Sequence, residues 1–81
     1  MRFAKLFNVQ DTQVLTFMKY DSEKDMTMVT LMTHIDEVLI ETKFEHEGDQ
    51  QEEEACKLFD SIDEAKAVEF FQKMDKAVKG N

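Results

Sequence analysis

The alternation of apolar and polar residues predicts four β-strands in the first part of the chain. Each segment is rich in aromatic, aliphatic or β-branched residues, and polar turns such as Gln10-Asp11-Thr12 separate one segment from the next. Short runs of this kind, closely spaced along the chain, are typical of antiparallel hairpins. The strands that we assign are residues 2–9, 13–20, 26–33 and 38–45.

The fourth segment has an alternative reading as a helix. Such a helix would begin at Thr33, with Asp36 in the position of a capping-box acid. The period of two residues from Val38 to Phe44 favours the strand. One face of this strand carries Val38, Ile40, Thr42 and Phe44, and the other carries Glu41, Lys43 and Glu45.

The pattern changes to a helical period near the C-terminus, where we predict a helix over residues 62–79. Ser61 and Glu64 have the spacing of a capping box, and Gly80 is placed to end the helix. An isolated helix of this length is marginal in water, so its apolar stripe must pack on the strands. The stripe consists of Ala67, Phe70, Phe71, Met74, Ala77 and Val78.

The segment between the last strand and this helix is ambiguous. No β-branched residue occurs from Gln50 to Phe59, which favours a short helix over residues 50–58. A fifth strand over residues 55–59 is the alternative. We therefore predict an α+β fold over residues 1–81, a single domain: a four-stranded antiparallel meander with a C-terminal helix or helix pair on one sheet face. The alternative is a strongly bent five-stranded small barrel with a terminal helix.

Strands one to three carry apolar residues on both faces, and this favours self-association. One long helix and one short helix have enough width to cover a single face of a four-stranded sheet. Monomers rarely leave a large apolar patch exposed, so we expect a homo-oligomer, most simply a dimer. Methionine is common at adaptable interfaces. The residues that we assign to this interface are Met18, Met26, Met28 and Met32.

Charge excludes one class of partner and suggests another. The net charge is −8, and residues 21–81 hold 7 basic against 17 acidic residues. This balance repels phosphates, so we expect no nucleic-acid binding. It suits a basic protein partner, and an acidic DNA-mimic inhibitor of a basic DNA-binding protein is the alternative function. The candidate partner surface is Glu45, Glu47, Asp49, Glu52, Glu53 and Glu54.

The sequence offers no recognisable catalytic motif, and we expect no metal and no cofactor. His34, His46 and Cys56 do not have the spacing of a zinc site. A small hydrolase or metal enzyme is therefore only the third candidate. A single cysteine excludes an intramolecular disulfide and favours a reducing, cytoplasmic location. Polar residues interrupt the N-terminal segment, and no apolar run is long enough to span a bilayer, so we expect neither a signal peptide nor a membrane partner.

The arrangement of several short segments resembles that of small uncharacterised proteins of marine tailed phages. These segments are Phe3-Ala4-Lys5-Leu6-Phe7, Gln13-Val14-Leu15, an acidic middle, and Phe59 ahead of Glu64-Ala65. The resemblance implies a phage or marine microbial source and an accessory role, and it supplies neither an activity nor site residues. The function that we predict is a non-enzymatic, self-associating, acidic binding or accessory protein.

Overall fold

The strands form one open antiparallel sheet, and both helices pack on the same face of it. The structure, a computed structural model, describes residues 3–80. Neighbouring strands follow the chain in the order β1-β2-β3-β4, which confirms the predicted meander and excludes the closed barrel. The first predicted strand began at Arg2, which lies outside the described residues. The elements are β1 (Ala4–Val9), β2 (Thr12–Asp21), β3 (Met26–Ile35), β4 (Val38–His46), α1 (Gln51–Ser61) and α2 (Glu64–Lys79).

The hairpin turns explain where the strands end. A four-residue turn, 22–25, joins β2 to β3, and Asp21 Oδ1 accepts hydrogen bonds from the backbone N–H groups of Glu23 and Lys24. Two residues with positive φ, Asp36 and Glu37, join β3 to β4. Positive φ at both central residues is the geometry that matches the twist of a two-residue hairpin. The strand reading of residues 38–45 is therefore confirmed, and no helix begins at Thr33.

The two helices confirm the predicted pair, but the second begins differently from our prediction. The structure has α1 where a fifth strand was the alternative. Ser61 is the last residue of α1, and its hydroxyl donates to the Leu58 carbonyl, so the predicted capping box is wrong. Asp63 caps α2 instead by accepting from the Lys66 N–H at 3.0 Å. Gly80 ends α2 with φ 72°, as predicted.

The core lies between the helices and one face of the sheet, which we call the covered face. Val14 and Val29 are fully buried there, and Phe71 from α2 is 7% exposed. Of the rest of the predicted helix stripe, Ala67 is fully buried, Phe70, Met74 and Val78 only border the core, and Ala77 is exposed. The buried apolar residues are Val9, Val14, Met18, Val29, Leu31, Ile35, Ala55, Phe59, Ile62, Ala67 and Phe71.

Lys5 and Thr16 are notable among the polar residues of the covered face. Lys5 extends from β1 beneath α1, where its Nζ donates to the carbonyls of Phe59 at 2.7 Å and Ile62 at 3.2 Å. The same ammonium group lies 4.4 Å from the centre of the Phe59 ring, within the range of a cation–π contact. Because α1 has no basic residue in its last turn, Lys5 supplies the positive charge that favours this helix end. Thr16 is fully buried, and its hydroxyl has no hydrogen-bond partner among residues 3–80.

Candidate functional site

The face of the sheet opposite the helices is the strongest candidate for a functional surface, and we call it the open face. Successive strand residues alternate between the two faces. The strand register aligns Leu6, Leu15 and Met32 in one row across three strands. The residues of the open face are Ala4, Leu6, Asn8, Gln13, Leu15, Phe17, Lys19, Asp21, Met26, Met28, Thr30, Met32, His34, Leu39, Glu41, Lys43 and Glu45.

The apolar part of the open face lies over the first three strands. Leu6 is 56% exposed, whereas Leu15, Phe17 and Met32 shield one another and are half-buried. Thr30 lies in the row of Ala4 and Phe17 and is buried although it belongs to the open face. At the β4 margin the surface becomes charged, with Lys43 Nζ 3.8 Å from a Glu41 carboxylate oxygen. This arrangement, an apolar centre beside a polar rim, is typical of interaction surfaces.

A hollow of about 680 Å³ occupies one end of the open face. Its floor is apolar and is formed by Leu6, Leu15, Met32 and Leu39. Asn8, Gln13 and His34 form a polar row along it, in which the Gln13 side-chain amide donates to Asn8 Oδ1 at 3.1 Å. The hollow is wide and open, and it suits a side chain or strand from another surface.

The structure separates the four methionines that we predicted at an interface. Met26, Met28 and Met32 point to the open face and are half-buried there. Met18 points to the covered face, is 9% exposed, and contacts the Cys56 Sγ through its sulfur at 3.9 Å. The assignment of Met18 to the interface is therefore wrong. Each even-numbered residue of β2 pairs with an odd-numbered residue of β3, so residues at even positions of these two strands lie on opposite faces.

The predicted acidic partner surface follows the chain from the end of β4 into α1. All six carboxylates are exposed. Glu52, Glu53 and Glu54 occupy the first turn of α1, where the helix dipole favours negative charge. Glu53 also faces Lys57 at 3.8 Å, so one of the six is partly neutralised. Glu45 belongs to the open face, whereas Glu47 and Asp49 precede α1.

Residues with catalytic or metal-binding chemistry do not converge in the described chain. Residues 3–80 contain no group of three or more His, Cys, Asp or Glu residues that could hold a metal ion. Cys56 is half-buried against Met18. His46 Nδ1 lies 3.3 Å from the Thr27 carbonyl, whereas His34 lies near the opposite ends of β3 and β4. No helix within the same residues is long and apolar enough to cross a lipid bilayer.

Comparison with protein-family models, curated proteins and solved structures finds no match to this chain. The candidate surface therefore rests on geometry alone. Our sequence-based prediction named the methionines but did not include Leu6, Leu15, Phe17 and Leu39 among the site residues. The period-two pattern already placed the first three on apolar strand faces, and only the missing register prevented their assignment to a common surface.

Proposed function

We propose that this protein acts by binding rather than by catalysis, as a small acidic accessory protein whose open face is covered by a second copy of itself. The observation that carries the proposal is the apolar row of Leu6, Leu15 and Met32. This row crosses β1, β2 and β3 on the sheet face that neither helix covers. The resemblance to phage accessory proteins and the reducing, cytoplasmic location agree with this role and stay predictions.

The size of the open face suits sheet-on-sheet packing between two copies. Four strands about 4.8 Å apart and nine residues long at about 3.3 Å each give a projected area of roughly 500 Å² per copy. Two copies would bury roughly 1,000 Å², which is the lower bound of a stable interface. A second copy also supplies occupants for the hollow, because Met26 and Met28 on its open face are large and adaptable.

The decisive experiment places a charge on the open face at Met28, which lies between Lys19 and Glu45 in its row. We expect Met28→Glu to halve the mass of the assembly in light scattering, because a second copy that covers the open face would bury the added carboxylate beside Glu45. Ala65→Glu is the matched control, since it adds the same charge on the exposed surface of α2. A parent protein that stays monomeric at high concentration would contradict the proposal, as would a Met28→Glu variant that associates like the parent.

The acidic surface supports a second candidate function, that of a DNA mimic. Its six exposed carboxylates include three on consecutive residues in the first turn of α1. A basic DNA-binding protein captured by such a surface should bind with steep salt dependence, as it does to phosphates. Reversal of Glu52 and Glu54 to lysine should then abolish capture without changing self-association. We also expect no binding to DNA or RNA at physiological salt, and sub-micromolar binding would contradict the charge argument.

A further inference from the structure

We propose that β4 also pairs with β4 of a second copy of this chain, antiparallel and centred on Thr42. The contact would join two four-stranded sheets side by side into one sheet of eight strands. It uses the edge of the sheet rather than its open face, so it goes beyond the proposed function and stands independently of it.

The backbone of β4 is available for pairing. The strand is nine residues long and lies at the sheet edge. Among the described residues, its backbone hydrogen bonds go to β3 alone. A long edge strand is a template for another strand, and main-chain hydrogen bonds supply much of the affinity of such contacts.

The two edges of the sheet differ in how they are protected. On the β1 edge, Lys5 points into the covered face. An inward-pointing charge is one of the devices that prevent edge-to-edge pairing. On the same face, β4 presents Val38, Ile40, Thr42 and Phe44 and no Lys, Arg, Asp or Glu. Of the two edges, β4 is therefore the one suited to receive another strand.

In one register, the charges of β4 are complementary to those of β4 in the second copy. Antiparallel pairing that uses the whole strand is centred on Thr42, and it places Glu41 opposite Lys43 of the second copy, and Lys43 opposite its Glu41. Opposite charges that face each other across a sheet are stabilising. A shift of the centre by one residue brings like charges face to face, and a shift by two leaves about half the strand unpaired.

An apolar groove beside β4 supports the same occupant. The groove has a volume of about 340 Å³ and lies between β4 and α2. Phe44 lines it and is 42% exposed, although its neighbours in the groove include Leu58, Phe70 and Met74. In the Thr42-centred register, Ile40 of the second copy lies beside Phe44. The added strand would therefore close the exposed side of this groove.

The test is a charge swap in the Met28→Glu background, in which association through the open face is removed. Because the open-face contact and the β4 contact together would make the parent a tetramer, we expect this background to remain a dimer at high concentration. Glu41→Lys and Lys43→Glu should each weaken the dimer by roughly tenfold, because two like-charge pairs replace two opposite-charge pairs. The double variant Glu41→Lys/Lys43→Glu should restore the parental dissociation constant, because its cross-strand pairs are again opposite in charge.

The chain contains a matched control for this swap. Lys57 and Glu53 are exposed on α1 and, like Lys43 and Glu41, are separated by 3.8 Å. Lys57→Glu and Glu53→Lys should leave the dissociation constant unchanged. A monomeric Met28→Glu protein would overturn the β4 contact. Single reversals without effect, or a double variant no better than the single ones, would overturn the register.

A disulfide provides a second readout that does not depend on charge. In the proposed register Thr42 lies directly opposite Thr42 of the second copy. Directly opposite residues of an antiparallel pair have Cα atoms about 4.5–5.5 Å apart, which is within the range of a disulfide. With the native thiol removed by Cys56→Ala, Thr42→Cys should form a covalent dimer under mild oxidation. Ile40→Cys on the same face should not, because its counterpart lies roughly 13 Å away at about 3.3 Å per residue. Equal cross-linking of the two variants would contradict the proposal.

Discussion

The two faces of the sheet come from the same four strands, yet they have different surroundings. On the covered face, the side chains of Val14 and Val29 are completely enclosed by the helices and neighbouring strands. On the open face, Leu15 and Met32 have the same apolar character but reach only partial burial, from one another. The alternation of residues thus gives the sheet two apolar surfaces, and the two helices cover one of them. The comparison shows that the hydrophobic pattern of a strand alone does not distinguish a face that becomes the core from a face that stays uncovered.

The largest expected effect is the difference between the two faces in how much a substitution lowers the free energy of unfolding. Phe71→Ala should lower the free energy of unfolding by about 3–5 kcal/mol, the usual range for a buried phenylalanine. Leu6→Ala on the open face should cost about 1 kcal/mol or less, because its side chain is already half in solvent. Chemical denaturation in the Met28→Glu background, where association through the open face is removed, measures both at one fixed protein concentration, since association adds to apparent stability. Equal losses would show that the faces are energetically alike.

A smaller effect is expected where the covered face contains a charge. Lys5→Met retains the aliphatic stem but removes the donor to the Phe59 and Ile62 carbonyls. We expect a loss of about 1.5–3 kcal/mol, the range for hydrogen bonds to charged groups. Lys19→Met is the control, because Lys19 is exposed on the open face. If both variants unfold at the same denaturant concentration, Lys5 does not stabilise the end of α1.

The covered face also allows a stabilising substitution. The Thr16 hydroxyl is fully buried, and no partner among residues 3–80 accepts or donates a hydrogen bond to it. Thr16→Val replaces it with a methyl group of similar size, so we expect a gain of about 1 kcal/mol, at the low end of the penalty for an unsatisfied buried group. The control is Thr33→Val, which should destabilise, because the Thr33 hydroxyl donates to the Gln13 carbonyl at 2.8 Å. A loss of stability in Thr16→Val would indicate a hydrogen bond to water.

The smallest effect concerns the margin of the covered face, beyond the helices. The Tyr20 hydroxyl donates to Asp25 Oδ1 at 2.7 Å, and this hydrogen bond raises the pKa of Tyr20 above 10.0. Because the folded-state pKa is raised, the stabilisation is present below pH 10.0 and is lost as the pH rises through the folded value. Asp25→Asn should lower the midpoint of an ultraviolet titration of this single tyrosine towards 10.0. Glu23→Gln should not change it.

Much of the fold could be predicted because the local patterns agree with it. The period of two residues in β4 and the period of α2 each identify their element, and Gly80 marks where α2 ends. The beginning of α2 could not be predicted in the same way. Ile62 is buried at the junction of the helices, so α1 extends to Ser61 and the cap moves to Asp63. That choice depends on tertiary packing and not on the capping sequence.

The candidate surface could be predicted only in part, because it depends on register. Alternation along β3 groups Met26, Met28 and Met32 correctly on one face. Whether Met18 joins them depends on how β2 pairs with β3, and the four-residue turn between the strands sets that pairing. A change of one residue in the pairing would reverse the faces of a strand. The turn sequence has no glycine, and several loop geometries are compatible with it.

The order of the elements along the chain has a consequence for synthesis. All four strands precede both helices, so the ribosome produces a complete sheet-forming segment, with two apolar faces, before any residue of α1 exists. During that interval Lys5 has no carbonyl partner from Phe59 or Ile62, so its ammonium group keeps a charge on the face that α1 later covers. When α1 is made, the same group binds the end of that helix. The same inward-pointing charge that opposes strand pairing at the β1 edge therefore gains its hydrogen-bond partners only after the last turn of α1 has been made.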